Sequence, residues 1–222
     1  VQSITETKIK ARTNYSLMPI SILKFSVFLF MIKKSWFILN ATRDLKQDHI
    51  LINRLGKIAK KCSDLLYDNV DIPIEDIKII SMLIHEFVDK FHHGKEEKAY
   101  FPQMNDKNNF AQDIRNFLIE HELGRRIAKM LSQCLVSWDG DIGSTERAAR
   151  FLNAYSVFIT LHTEKENRFF DLIEKKDGLS EEEHSLLLKH FETCRTDVGG
   201  KIRVEQMTTL ISCLEERAWM NR

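Results

Sequence analysis

The chain has 222 residues, enough for one domain with a sizeable core and short for two. Its 33 basic and 32 acidic residues leave a formal net charge of +1, so bulk charge draws it neither to nucleic acid nor to an anionic membrane. With 43% hydrophobic and 29% charged residues it is neither disordered nor fibrous, and its 8 glycines and 3 prolines supply few of the turns an all-β fold needs. The four cysteines, Cys62, Cys134, Cys194 and Cys213, form no C-x-x-C pair. That spacing argues against a zinc ribbon or a thioredoxin-like site and fits reduced thiols in a cytoplasmic protein.

In chain order, the first feature is an apolar stretch from Leu17 to Leu39, strongest from Phe25 to Ile32, interrupted by Lys24 and closed by Lys33 and Lys34. It is short of the roughly 20 uncharged residues of a spanning helix and carries no convincing signal-type cleavage site. For residues 1–35 three readings stay open: a peripheral helix, a weak membrane anchor, or sequence upstream of a start at Met31. Residues 41–68 read as a helix, with Leu45, His49, Ile52, Ala59, Cys62 and Leu66 on one face. Pro73 marks a turn, and a second helix is expected from Ile74 to about Tyr100, ended by Pro102 and the polar NDKNN. A third covers about Phe110 to Val136 with Ile114, Phe117, Leu118, His121, Ala128 and Leu131 inward. The composition of 138–144 marks a loop, and a fourth helix follows from about Thr145 to Lys175. Its inward stripe is Phe151, Tyr155, Phe158, Ile159, His162 and Phe169. A fifth starts at Ser180, which with Glu183 forms a capping box, and runs to about Thr193; Val204 to Glu216 reads as a last helix. Long helices on short connections give an all-α fold, an antiparallel four-helix bundle with extra C-terminal helices. The expected divisions are 1–35, 36–200 for the bundle, and 201–222 for the C-terminal helix.

Each of the four long helices places a histidine in its apolar stripe: His49, His92, His121 and His162. Two have a glutamate four residues on, His92–Glu96 and His162–Glu166, so imidazole and carboxylate share a helix face. The separations suit one helix, a turn, and the next helix back to the same level, so six side chains can converge. Burying two ionised glutamates among four histidines is costly unless divalent cations compensate, and neutral imidazoles with carboxylates are good ligands. Mixed nitrogen and oxygen donors with positions left open suit iron; zinc needs fewer ligands and magnesium prefers oxygen alone. A lone buried histidine is more often a core residue, and H-x-x-x-E is often a surface pair, but one histidine per helix with two paired glutamates favours metal.

These segments resemble a known family. HHGKEEKAYFP, with His92, Glu96 and Pro102, resembles the second-helix motif of hemerythrin-like (HHE cation-binding) domains. ATRDLKQDHILINRL around His49, IEHELGRR around His121 and HTEKENRFF around His162 resemble the first, third and fourth, covering residues 40–195. The resemblance implies two non-haem iron ions, oxo- or hydroxo-bridged when oxidised, held by His49, His92, Glu96, His121, His162 and Glu166. Arg125 stands where oxygen-carrying members place a second third-helix histidine, and Asn167 where they use an aspartate. That weighs against reversible oxygen carriage. The chain looks more like proteins that repair iron–sulfur centres, or di-iron sensors and oxidases.

The expected partner is therefore a diatomic molecule or peroxide, with no nucleic acid, and with membrane contact only through 17–39. A di-iron oxidase or peroxidase and a metal-free helical interaction module are the alternatives. Within HHGKEE, His93–Glu97 repeats the spacing of His92–Glu96 but is rotated by about 100° on an α-helix, so that both are expected behind the ligands or at the surface. Asp89 is expected to orient His92, Tyr155 to face the cavity or the core, His85 to lie in the core or at its rim, and His184 and His190 to be solvated.

Overall fold

The computed structural model describes residues 40–222 except 106, 108, 109 and 177; the readings made above for residues 1–39 lie outside the described residues. Among the described residues the fold is all-helical, and no helix is long and apolar enough to cross a membrane.

Helix α1 (Ala41–Tyr67) opens with Asn40 as its cap, whose side chain accepts from the Arg43 amide. Helix α2 starts after Pro73 as an α-helix, Ile74–Leu83, widens into a π-helix over Ile84–His93 and again over Glu96–Tyr100, and ends as an α-helix at Phe101–Asn105. It outlasts the expected end at Tyr100. Pro102 falls in the first turn of the new α-helical segment, where its missing amide and fixed φ are tolerated. Helix α3 is Ala111–Val136 and α4 is Ile142–Lys175. Helix α4 begins three residues before the expected Thr145 because Asp141 accepts from the Ser144 amide and caps it there. Helix α5 (Glu181–Asp197) carries the capping box of Ser180 and Glu183. Helix α6 (Gly200–Glu215) opens on two glycines, Gly199 as its cap and Gly200 as its first residue, at φ +104° and +83°, a left-handed turn that side chains resist. A 3₁₀ turn, Ala218–Asn221, closes the chain.

Contacts between α1 and α4 pair rising with falling residue numbers. Lys46 binds Asp171 and Glu174, His49 meets Asn167, Asn53 accepts from Thr163, and Ser63 donates to the Ala149 carbonyl. Helix α6 shares the main core through Met207, Ile211 and Leu214 and is tied to α1 by Arg54–Glu215 and to α2 by Arg203–Glu86. Trp219 donates its indole N–H to the buried Asp76.

Two apolar clusters result. One contains Ile52, Phe91, Leu131 and Ile159; the other contains Leu45, Ala99, Phe117 and Phe169. On every one of the first four helices the histidines named above lie between those two clusters. A polar layer is thus sealed between two apolar ones.

Close approach of α3 and α4 at this layer depends on Gly124. A Cβ there would stand 2.6 Å from Phe158 Cε1, and the Phe158 ring stacks on His162 at 5.3 Å between centroids. Gly124→Ala is expected to destabilise the fold by about 1–3 kcal/mol from overpacking, against a helix-propensity gain of roughly 1 kcal/mol. Urea unfolding checks this; an unchanged or higher midpoint would show that Phe158 moves aside freely.

Candidate metal centre

The six side chains singled out from the sequence meet in the sealed layer. His49, His92, Glu96 and Glu166 offer donor atoms that form one group that could hold a metal ion; His121 and His162 belong to a second, which is completed by His93. None of these seven residues is more than 3% exposed.

His93 corrects the expectation that it lies outside. In an α-helix neighbouring residues point about 100° apart, so His92 and His93 cannot both face one point. The π-helix closes its turns with i→i+5 hydrogen bonds, fits more residues into each turn and narrows that angle. Here it ends at His93 and resumes at Glu96. His93 then stacks on His121, ring centroids 3.8 Å apart, and the adjacent His92 faces His49. The doubled His-His and Glu-Glu of HHGKEE were visible, but no sequence signal marks a π-helix.

The two glutamates straddle the groups. Glu96 Oε1 lies 3.3 Å from His92 Nε2 and 3.8 Å from His49 Nε2, while its Oε2 is 3.4 Å from His121 Nε2. Glu166 Oε1 accepts from His121 Nε2 at 3.2 Å, and its Oε2 is 3.3 Å from His49 Nε2 and 3.2 Å from His162 Nε2. Metal–ligand bonds of about 2.0–2.2 Å put adjacent donors about 3 Å apart, so these spacings fit cations at both groups. Six buried atoms of the layer have no hydrogen-bond partner: both nitrogens of His93, both oxygens of Glu96, His162 Nε2 and Glu166 Oε2. One such orphan costs roughly 1–3 kcal/mol.

Behind the inner nitrogens each imidazole is held from outside. His49 Nδ1 donates to Asn167 Oδ1 at 2.9 Å, His92 to Asp48 at 3.1 Å, His121 to Glu97 at 2.7 Å and His162 to Glu120 at 2.9 Å. For His93 the carboxylate is Asp89, 3.6 Å away and just beyond hydrogen-bond reach. Asp48, rather than the expected Asp89, orients His92. Arg125 grips Asp89 and Glu97 at 3.0 Å each and thereby fixes two of these partners. Such outer partners set ring tautomer and basicity, leaving Nε2 free to face inward. Tyr155 packs in the apolar cluster with Phe158, His85 is exposed at the rim, and His190 is exposed. His184, expected in solvent, is half-buried, and burial lowers its pKa.

Electrostatics follow from this crowding. Burial works against charge on His92, but Glu96 and Asp48 outweigh it and push its pKa up to about 9. Burial likewise opposes charge on His121, yet Glu166 and Glu97 push it up to about 10. His93 goes the other way: burial, with His121 alongside, holds it well below the ordinary imidazole value and therefore neutral. Burial opposes ionisation of Glu166, but His162 and His121 hold its carboxyl well below the usual range.

A helical bundle whose interior gathers five imidazoles and two carboxylates is the architecture of a cation-binding domain. The family described as hemerythrin HHE cation binding domain matches residues 40–173. The chain belongs to that family. Nothing among curated proteins or solved structures matches it.

Without metal, His92 and His121 carry protons at neutral pH. Their folded pKa values lie above the unfolded value of about 6.5, so their contribution to metal-free stability is full below that pH and is lost as pH rises through about 9 and 10. Metal needs both rings neutral and must displace those protons. Loading with a divalent cation at a pH of about 7 is expected to release about two protons per chain in weakly buffered solution. Uptake without release, read on a pH-stat, would contradict the charged imidazoles.

Proposed function

We propose that the described helices α1 to α4 form an antiparallel four-helix bundle that binds two non-haem iron ions, one by His49 and His92, the other by His93, His121 and His162, with Glu96 and Glu166 shared. One observation carries this reading. Six donor atoms enclosed in the layer, both nitrogens of His93, both oxygens of Glu96, His162 Nε2 and Glu166 Oε2, have no hydrogen-bond partner, and bound cations would satisfy them together. Five nitrogens with two shared carboxylates suit iron better than zinc, which closes with four ligands, or magnesium, which prefers oxygen.

When bound, such a metal pair supplies one-electron redox chemistry and open coordination positions for a small ligand. The chain supplies the rest. Leu45, Phe170 and Tyr100 on one side and Ile52, Phe91 and Ile159 on the other exclude bulk water from the layer. Asp48, Glu97, Glu120 and Asn167 hold the rings in the tautomer that aims Nε2 inward. This supports a protein that handles oxygen, nitric oxide, peroxide or iron itself, in sensing, redox stress or the repair of iron centres, and we place it in the cytoplasm. The fifth histidine removes one of the two sequence differences from oxygen carriers, because His93 of α2 supplies the nitrogen that Arg125 does not.

Metal analysis of the purified, iron-loaded chain is expected to give about two irons per chain, with an absorbance band in the oxo-to-iron charge-transfer region after exposure to air. His92→Ala and His93→Ala should each lose about tenfold or more in iron affinity, with helical content retained. No iron uptake with a flat spectrum would leave a metal-free helical module as the better account, zinc alone would overturn the choice of iron, and wild-type iron content in both variants would overturn the ligand assignment.

A further inference from the structure

Lys95 is the only buried lysine or arginine among the described residues. Its side chain is 1% exposed, although lysine is almost never buried unless paired. It lies between His93 and Glu96 in sequence, and its ammonium touches Asp44 Oδ1 and Asp48 Oδ2 at 2.5 Å each. The same ammonium sits 4.3 Å from the centroid of the Phe91 ring and 5.2 Å from that of Phe191. Asp48 Oδ2 in turn accepts from His92 Nδ1 at 3.1 Å. A fixed positive charge is thus joined through one carboxylate to an inward-facing imidazole.

Three other cation–carboxylate–imidazole chains surround the centre, and water reaches all three. Lys165 behind Glu120 is 56% exposed, and Arg125 behind Glu97 and Asp89 is 33% exposed. Water and salt screen those charges. Lys95 sits behind apolar rings, where a charge acts at far greater strength. Its position makes it a positioning and tuning residue, acting on the centre through Asp48 and His92 and touching no inner nitrogen itself.

We propose that the buried Lys95–Asp48 pair sets the reduction potential of the iron pair, with Lys95 favouring the reduced state and Asp48, through His92, the oxidised state. The proposal rests on the two-iron reading above. A fixed positive charge disfavours the loss of an electron nearby. A carboxylate accepting from the ring makes the imidazole a stronger donor and favours the higher oxidation state. In the native chain the two effects oppose each other, and removing either member unmasks the other.

The experiment measures midpoint potentials of the iron-loaded full chain by spectroelectrochemical titration for wild type, Lys95→Met and Asp48→Asn. Lys95→Met is expected to lower the potential and Asp48→Asn to raise it, each by about tenfold in the ferrous-to-ferric ratio, or about 59 mV for one electron. A role confined to holding the fold would move both variants in one direction or cost both their iron. Equal potentials, shifts of the same sign, or loss of iron from both variants with helicity intact would therefore overturn the proposal alone. A wild-type chain that takes up no iron overturns the two-iron reading and the proposal with it. Lys95→Met leaves the buried Asp48 and the partly buried Asp44 without their cation; if it fails to fold, Asp48→Asn decides by itself, because asparagine keeps a hydrogen-bond acceptor for His92. A fall or no change in its potential then rejects the proposal.

Discussion

The structure turns on charge buried in one thin layer. Glu96 and Glu166 are fully enclosed, and the imidazoles of His49, His92, His121 and His162 press against them. An isolated carboxylate in such surroundings would take up a proton or drag in water. Here Glu166 stays ionised because His162 and His121 face it, and the pKa of His121 rises in return, as that of His92 does beside Glu96 and Asp48. The helices can approach only if positive charge is present in that layer, whether carried by protons or by metal. The apolar clusters on either side supply the packing energy that keeps the layer closed.

Outside the layer, carboxylates recur with cations behind them. Asp48 has Lys95, Glu120 has Lys165, and Glu97 and Asp89 share Arg125. His49 is the exception, since Asn167 offers it a neutral amide oxygen. The two donor groups therefore differ in character: the group of His93, His121 and His162 is backed by carboxylates throughout, and the group of His49 and His92 by one carboxylate and one amide. Of the two residues that looked like departures from a family pattern, Asn167 acts one step behind an inner donor and Arg125 two steps behind, through Glu97 and Asp89. A substitution in such a framework moves a role to another residue more readily than it abolishes it.

Helix α2 shows how far a functional layer can bend local structure. A π-helix is rare because its hydrogen bonds and packing are poorer than those of an α-helix, and it persists where a site uses the altered side-chain directions. Here two π segments meet across Gly94 and Lys95, and their facing ends carry His92, His93 and Glu96. Lys95, in the α-helical link between those segments, points away from the layer into its aromatic and acidic pocket. One run of five residues thus provides three inner side chains and the buried cation behind one of them.

Helix periodicity, the capping box at Ser180 and the histidine on each long helix were all legible in the sequence, because each depends on local spacing or on one side chain meeting its own backbone. The same spacing singled out His49, His92, Glu96, His121, His162 and Glu166 as residues able to converge, and the structure brings them together. His93 was misplaced because a 100° helical step is an assumption about hydrogen bonding, and packing of α2 against its neighbours changed that bonding. Asp48, Glu120 and Lys95 were likewise hidden, for their partners lie 42 to 51 residues away on other helices. Sequence alone determined which side chains could gather; tertiary packing decided which nitrogens face inward and which charges stand behind them, since both depend on distances between helices that no single helix encodes.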